Sequence, residues 1–127
     1  MKALSVLQPY TSFILWGDKT VEWRSWRRKY RGDLLICSSK LWADIPEVDD
    51  IPDESLGLFP LGSALCVVEL YDIVPFEEKH FKAALFDELP NPAGYAWLLR
   101  NVRPVKAFNV RGMPGLFEVE DNLIKYL

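Results

Sequence analysis

A chain of 127 residues, half of them hydrophobic and 13% aromatic, is sized for a single domain spanning 1–127 with a real core, which excludes a disordered tail or linker. No apolar run reaches the ~18–20 residues of a membrane helix, and the run after Met1 is too short for a signal peptide, so a cytoplasmic protein without membrane contact is expected. The formal net charge of −3 taken alone argues against nucleic acid, but where the charges sit matters more than their sum.

Ala3 to Leu7 reads as a short strand. Pro9 fits the first turn of a helix over Tyr10–Trp16, with Gly17 as its C-terminal cap. Phe13 and either Ile14 or Trp16 would face the core. Lys19 to Arg24 alternates with the period of a strand. With Val21 and Trp23 inward, Thr20, Glu22 and Arg24 share the other face and Lys19 stands at its mouth; the opposite parity stays open. Arg28 to Gly32 is a polar turn. Asp33 to Ser39 is a largely apolar strand suited to burial on both faces.

Residues 40–62 hold Pro46, Pro52, Pro60, Gly57 and Gly62 and read as an excursion from the core with at most one or two helical turns. Ser63 to Val74 is the longest strand signal. Glu69 in its middle must face solvent, a cation or a cleft. A helix is expected from Pro75 to about Asp87, ended by Pro90-Asn91-Pro92-Ala93-Gly94. Strands follow at Tyr95–Arg100 and Val102–Phe108, with Pro104 marking an edge or a bend. Gly112 to Gly115 is a turn, and Leu116 to Glu120 is the last strand. Strands and helices do not alternate regularly. The pattern fits a mixed α/β, mainly β fold: a small, largely antiparallel barrel with short helices at its ends.

The charges are segregated. Asp44, Glu47, Asp49, Asp50, Asp53 and Glu54 occur with no basic residue between them, and Arg100, Arg103, Lys106 and Arg111 with no acidic one. The densest basic stretch is Arg24, Arg27, Arg28, Lys29 and Arg31, interleaved with Trp26 and Tyr30. Arginines supply phosphate contacts and aromatic faces accept unstacked bases. Cys37 and Cys66 each sit in an apolar run and are expected as buried, reduced thiols. With a single histidine and no CxxC, no metal site and no cofactor is expected.

Three readings of Lys19, Glu22 and Arg24 stay open. They form an ion-pair network at a barrel mouth; or a ligand site, Lys19 and Arg24 meeting phosphate while Glu22 accepts from a base; or an acid/base pair, with Glu22 as base and Lys19 stabilising charge. Trp26 is the best stacking candidate, against a solvated-turn reading of its basic neighbours. Gln8 either caps the first helix or offers its amide to a cleft. Trp97 is read as core or cleft lining, and His80 as a surface or half-buried residue.

Leu4-Ser5-Val6-Leu7-Gln8-Pro9-Tyr10, then Gly17-Asp18-Lys19-Thr20-Val21-Glu22-Trp23-Arg24-Ser25-Trp26 and Tyr30-Arg31-Gly32-Asp33-Leu34-Leu35-Ile36, closely resemble the ASCH family, the activating-signal-cointegrator homology domains of the PUA-like superfamily. The Gly-x-Lys-Thr-x-Glu-x-Arg hallmark is complete. Gly94 to Trp97 and Gly112 to Val119 resemble the family's closing strands. The resemblance implies a PUA-like β-barrel with a cleft beside the hallmark that takes RNA or a nucleotide-like ligand. One branch of the family hydrolyses the amide of N4-acetylcytidine with a lysine and a threonine of this motif and a later glutamate. Another member is a ribonuclease. The lysine matches Lys19, but the nucleophilic threonine falls on Glu22 here, and Glu77 and Glu78 are the positional candidates for the later glutamate.

The expectation is therefore a nucleic-acid-binding domain, for RNA in particular, that uses Gln8, Lys19, Thr20, Glu22, Arg24, Trp26, Arg27, Tyr30 and Arg31. The alternative is a small hydrolase of a modified nucleoside or RNA centred on Lys19, Thr20 and Glu22. A further alternative is a protein-interaction module in transcription regulation, with the acidic 44–54 loop as partner surface.

Overall fold

The structure, a computed structural model, describes residues 1–127. Its strands are β1 (Lys2–Gln8), β2 (Val21–Arg24), β3 (Gly32–Trp42), β4 (Ser63–Pro75), β5 (Tyr95–Asn109) and β6 (Leu116–Glu118). Three short helices accompany them: α1 (Tyr10–Trp16), α2 (Pro46–Asp49) and α3 (Phe81–Ala84). No helix is long and apolar enough to cross a membrane.

The strands form one sheet in the order β2-β5-β4-β3-β1-β6, antiparallel except for the parallel β1–β3 pair. The mainly β class is as expected, but the sheet is not closed. β2 and β6, four and three residues long, are its two edges and do not pair with each other. It nevertheless curls. One cluster joins Leu4 and Val6 of β1, Leu34 and Ile36 of β3, Val68 and Leu70 of β4 and Trp97 and Leu99 of β5, with Ile14 of α1 plugging it. Such residues share one concave face because alternate side chains in a strand point the same way. The opposite parity, Ala3, Leu35, Cys37 and Val67, builds a second cluster under the C-terminal segment. β3 is buried on both faces, as its sequence implied, and Cys37 and Cys66 are both buried and free. Burial pushes both thiols up to about 12.

Several boundaries moved. The expected helix over Pro75–Asp87 is a 3₁₀ turn (Glu78–His80) followed by the single turn α3. β4 runs on through Pro75, and Leu85 closes α3 in the left-handed conformation at φ 62°, which stops propagation. His80 is buried, deeper than the surface or half-buried position expected. Its Nδ1 accepts from the Glu77 N–H at 3.0 Å, and its ring stacks on Phe76. Tyr95 to Asn109 is one strand, not two. Asn101 at φ 57° and register shifts absorb the bend, and Pro104 lies where β2 no longer covers β5. Glu69 finds its cation in Arg100, at 2.8 Å across the β4–β5 pair.

Candidate functional site

The backbone that delivers the site begins at the end of α1. Gly17 adopts the left-handed conformation at φ 84°, a turn glycine makes without Cβ strain, and its N–H and that of Asp18 cap the helix carbonyls. The chain then reverses. The Lys19 N–H bonds back to the Phe13 carbonyl and the Thr20 N–H to the Ala83 carbonyl. Lys19 and Thr20 thus lie in a turn, and the strand starts only at Val21. Val21 packs with Phe76, Ala84 and Ala96. Strand alternation consequently sends Glu22 and Arg24 to the other face, while Lys19 joins them from the turn. Gly94, at φ 67°, has no room for a side chain. A Cβ there would lie 2.6 Å from Trp23 Nε1 and 2.7 Å from the Arg24 carbonyl, so it lets the loop before β5 close on β2.

The charges are linked in a row. Lys19, with 1% of its side chain exposed, donates from Nζ to the Ala84 carbonyl at 2.6 Å and stands 3.6 Å from Glu22 Oε1. Its cation also lies 4.9 Å from the Tyr10 ring centre. Glu22 Oε2 accepts from Arg24 Nη2 at 3.0 Å, and the same Nη2 donates to the Ser5 carbonyl at 2.6 Å. Arg24 sits on one edge strand and Ser5 on β1, beside the other edge. The guanidinium therefore bridges the gap that a closed ladder would fill. Burial is the largest influence on Lys19 and holds its ammonium below the ordinary lysine value, with Glu22 working against that shift. Tyr10 is pushed up, first by burial and then by Glu22, Glu47 and Asp87.

Over this row opens a cleft of about 430 Å³. Lys19, Glu22 and Arg24 line it with Trp26 and the aromatic rings of Tyr10 and Phe86; Ser5, Ser39 and the 113–115 turn complete its walls. Arg24 Nε is buried and has no hydrogen-bond partner within the chain. A buried donor without a partner costs about 1–3 kcal/mol. Arg24 itself lines the cleft.

The structure brings Lys19, Glu22, Arg24 and Trp26 into this one cleft and leaves the other expected residues outside its lining. Gln8 is fully buried and its amide is engaged, donating to Ser12 Oγ and the Pro60 carbonyl and accepting from the Ser12 N–H. It ties α1 to the acidic excursion. Thr20 is exposed. Arg27 is exposed with its guanidinium 5.6 Å from the Tyr95 ring centre. The Tyr30 hydroxyl donates to the Asp33 carbonyl, and its ring packs on the core. Arg31 folds back onto the carbonyls of Arg28 and Tyr30 and lies 3.5 Å from Asp72. Trp26 itself is half occupied. Trp97 meets it edge-on at 4.8 Å, and the Arg28 guanidinium stands 4.4 Å from its ring centre. Trp97 is core, fully buried, with its indole N–H on the Trp26 carbonyl at 3.1 Å.

Sequence reasoning did not find Ser5, Ser39, Phe86 and Met113 as cleft residues. Only the curl of the sheet brings β1, the end of β3 and the turn before β6 opposite β2, and no local pattern announces it. The glycines flanking Met113-Pro114 were the available hint.

The sequence model of the ASCH domain matches residues 4–111. Human activating signal cointegrator 1 is 26% identical over 132 residues, covering 94% of this chain and 22% of that protein. The chain thus spans about a fifth of the length of the curated relative it matches. A crystal structure of ASCH from Zymomonas mobilis superposes with a TM-score of 0.67 at 16% identity, covering 95% of this chain and 88% of that one. A serine-to-alanine mutant of the same bacterial protein superposes at 0.68, also at 16% identity, covering 98% of this chain and 96% of that one. At that identity the likeness concerns the fold.

Proposed function

The chain belongs to the ASCH domain family, and from that premise we propose that residues 1–127 act as one domain that binds RNA by taking a single unstacked nucleotide into the cleft over Lys19, Glu22 and Arg24. One observation carries the reading: the buried, unpartnered Nε of Arg24 beside a cavity of about 430 Å³. That volume lies in the range of small-molecule sites, about 300–1,000 Å³. A base carbonyl or phosphate oxygen accepts from Arg24 Nε, while Glu22 accepts from an amino group of the base. Tyr10, Phe86 and Trp26 supply apolar contact. Arg27, Arg28 and Lys29, exposed beside the opening strand, meet the flanking phosphates. Gln8, Tyr30 and Arg31 take structural parts in this reading, and Thr20 none.

Fluorescence anisotropy with four labelled single-stranded RNA homopolymer octamers at low salt tests it. The chain binds at least one of them with salt-dependent affinity. Arg24→Ala weakens binding about tenfold or more, and adding Arg27→Ala lowers the salt slope by about one. Absence of binding to every octamer at low salt overturns the reading.

The second reading is a hydrolase of an acylated nucleoside, supported by the 3.6 Å approach of Lys19 to Glu22 at the cleft floor. Glu22 acts there as general base: it takes a proton from a water that attacks the acyl carbon, the C–N4 bond breaks, and N4 leaves with a proton as the free amino group while the acyl group leaves as a carboxylate. Turnover of an N4-acylated cytidine that is lost in Glu22→Gln supports it, and no turnover removes it.

A further inference from the structure

A second concavity, about 650 Å³, backs onto the cleft and shares Tyr10 and Phe86 with it as a common wall. It runs between α1, the acidic excursion and the loop after α3. Its floor is apolar, with Phe13, Ile45, Ile51 and Phe59, and its rim carries Glu47, Asp87 and Glu88. No lysine or arginine lines it. None of the three rim carboxylates, nor the neighbouring Asp44, Asp49 and Asp50, has an ion-pair partner in the chain. Elsewhere several carboxylates are paired, as at Asp33–Arg103 and Glu69–Arg100, while scattered ones such as Asp18, Glu78 and Glu120 are not. Glu47 and Asp87 both line the groove, and each adds to the upward push on the Tyr10 hydroxyl.

Leu85 supplies an independent sign. It occupies the left-handed cap of α3 at φ 62°, a position that favours glycine or asparagine, and its side chain is 41% exposed at the groove's edge. A strained, exposed leucine here contributes nothing to the core and adds apolar surface to the groove.

We propose that this groove docks an extended segment of a partner protein in which one aliphatic or aromatic side chain is flanked by lysine or arginine. The apolar floor takes the anchor side chain. The unpaired carboxylates receive the flanking cations, and charge complementarity of this kind governs partner choice and encounter rate. The same carboxylates repel a nucleic-acid backbone, so this face and the cleft take ligands of opposite charge. The inference stands on the groove alone and survives failure of the RNA reading.

The test is selection of a displayed random dodecapeptide library on the full chain, followed by anisotropy with the enriched peptides carrying fluorescein. Enriched peptides carry Lys or Arg beside Leu, Ile, Phe or Trp. The triple variant Glu47→Gln, Asp87→Asn, Glu88→Gln binds them roughly tenfold less tightly, and added salt narrows that gap. Leu85→Asn, which suits the left-handed cap and preserves folding, also weakens binding roughly tenfold. Five results overturn the proposal: no enriched sequence, enriched sequences without basic residues, enriched peptides indifferent to both variants, a single-stranded RNA octamer that displaces them, and a dimer in sedimentation that Leu85→Asn abolishes. The last assigns the groove to a second copy of this chain.

Discussion

Replacing Glu22 with glutamine removes one charge from the centre of the Lys19–Glu22–Arg24 row at nearly constant shape. Arg24 keeps the Ser5 carbonyl and has 22% of its side chain exposed, so water compensates it in part. Lys19 has no such outlet at 1% exposure. It retains the Ala84 carbonyl and the Tyr10 ring but loses the only carboxylate it pairs with. Removing one partner of a buried pair costs about 3–5 kcal/mol, and the contacts left to Lys19 place this variant at the lower end, about 3 kcal/mol. With a urea m value of about 2 kcal/mol/M, the unfolding midpoint falls by about 1.5 M.

The pH dependence identifies the cause. Burial lowers the Lys19 pKa in the wild type, and Glu22 opposes that effect. Without Glu22 the folded-state value falls further, while the unfolded-state value stays that of ordinary lysine. Between the variant's and the wild type's folded values, the unfolded variant holds a proton its folded state has lost, so its stability climbs with pH. The wild type is flat there. The deficit is therefore largest at low pH and shrinks as pH rises through that window. Urea denaturation of both proteins from pH 6 to 9.5 measures it. Adding Lys19→Met to Glu22→Gln recovers most of the loss at every pH, because the fully buried ammonium left without its carboxylate is then gone and Arg24 keeps the Ser5 carbonyl and partial exposure. A deficit below about 1 kcal/mol, or one constant across this range, refutes the reasoning.

Leu85→Gly relieves the left-handed cap at φ 62° and raises stability by about 1 kcal/mol, seen as a higher thermal midpoint. His80→Ala removes the ring nitrogen that accepts from the Glu77 N–H and the stacking on Phe76, and costs about 1–3 kcal/mol by urea denaturation. Arg103 holds the Asp33 carboxyl below its ordinary value through bonds of 2.6 and 3.1 Å. That stabilisation is present above the ordinary aspartate value and is lost as pH falls through the lowered one. Arg103→Ala consequently costs up to about 1 kcal/mol at pH 7 and progressively less as pH falls below the ordinary aspartate value, measured by denaturation at pH 7 and through the acid range.

What the sequence disclosed follows from how local each signal is. α1, its Gly17 cap and the two-sided burial of β3 are short-range patterns and were legible. The parity of Glu22 and Arg24 followed once Val21 was assigned to the core. The helix after Pro75 was over-read because its apolar spacing hid a left-handed leucine, which no propensity favours. Closure into a barrel was inferred from strand count. Whether the edges meet depends on β2 and β6, which pair with β5 and β1 but not with each other. At the site, the basic run Arg27–Arg31 suggested a single patch. Arg31 and Tyr30 instead spend their donors on nearby carbonyls, and Arg28 covers the face of Trp26. Gln8 accepts from the Ser12 N–H of α1, as its helix-capping reading expects, but its bond to Pro60, more than fifty positions away, has no local signal.

The central claim is that Arg24 Nε awaits an acceptor carried by a nucleotide. NMR of the protein with ¹⁵N-labelled arginine observes that group directly, and Arg24→Lys identifies its Nε–H signal. On titration with the RNA octamer that binds best, the Arg24 signal moves downfield and its solvent exchange slows, while the Nε–H signal of Arg103, already donating to the Asn101 carbonyl, stays in place. An octamer that binds while the Arg24 signal remains unchanged contradicts the account.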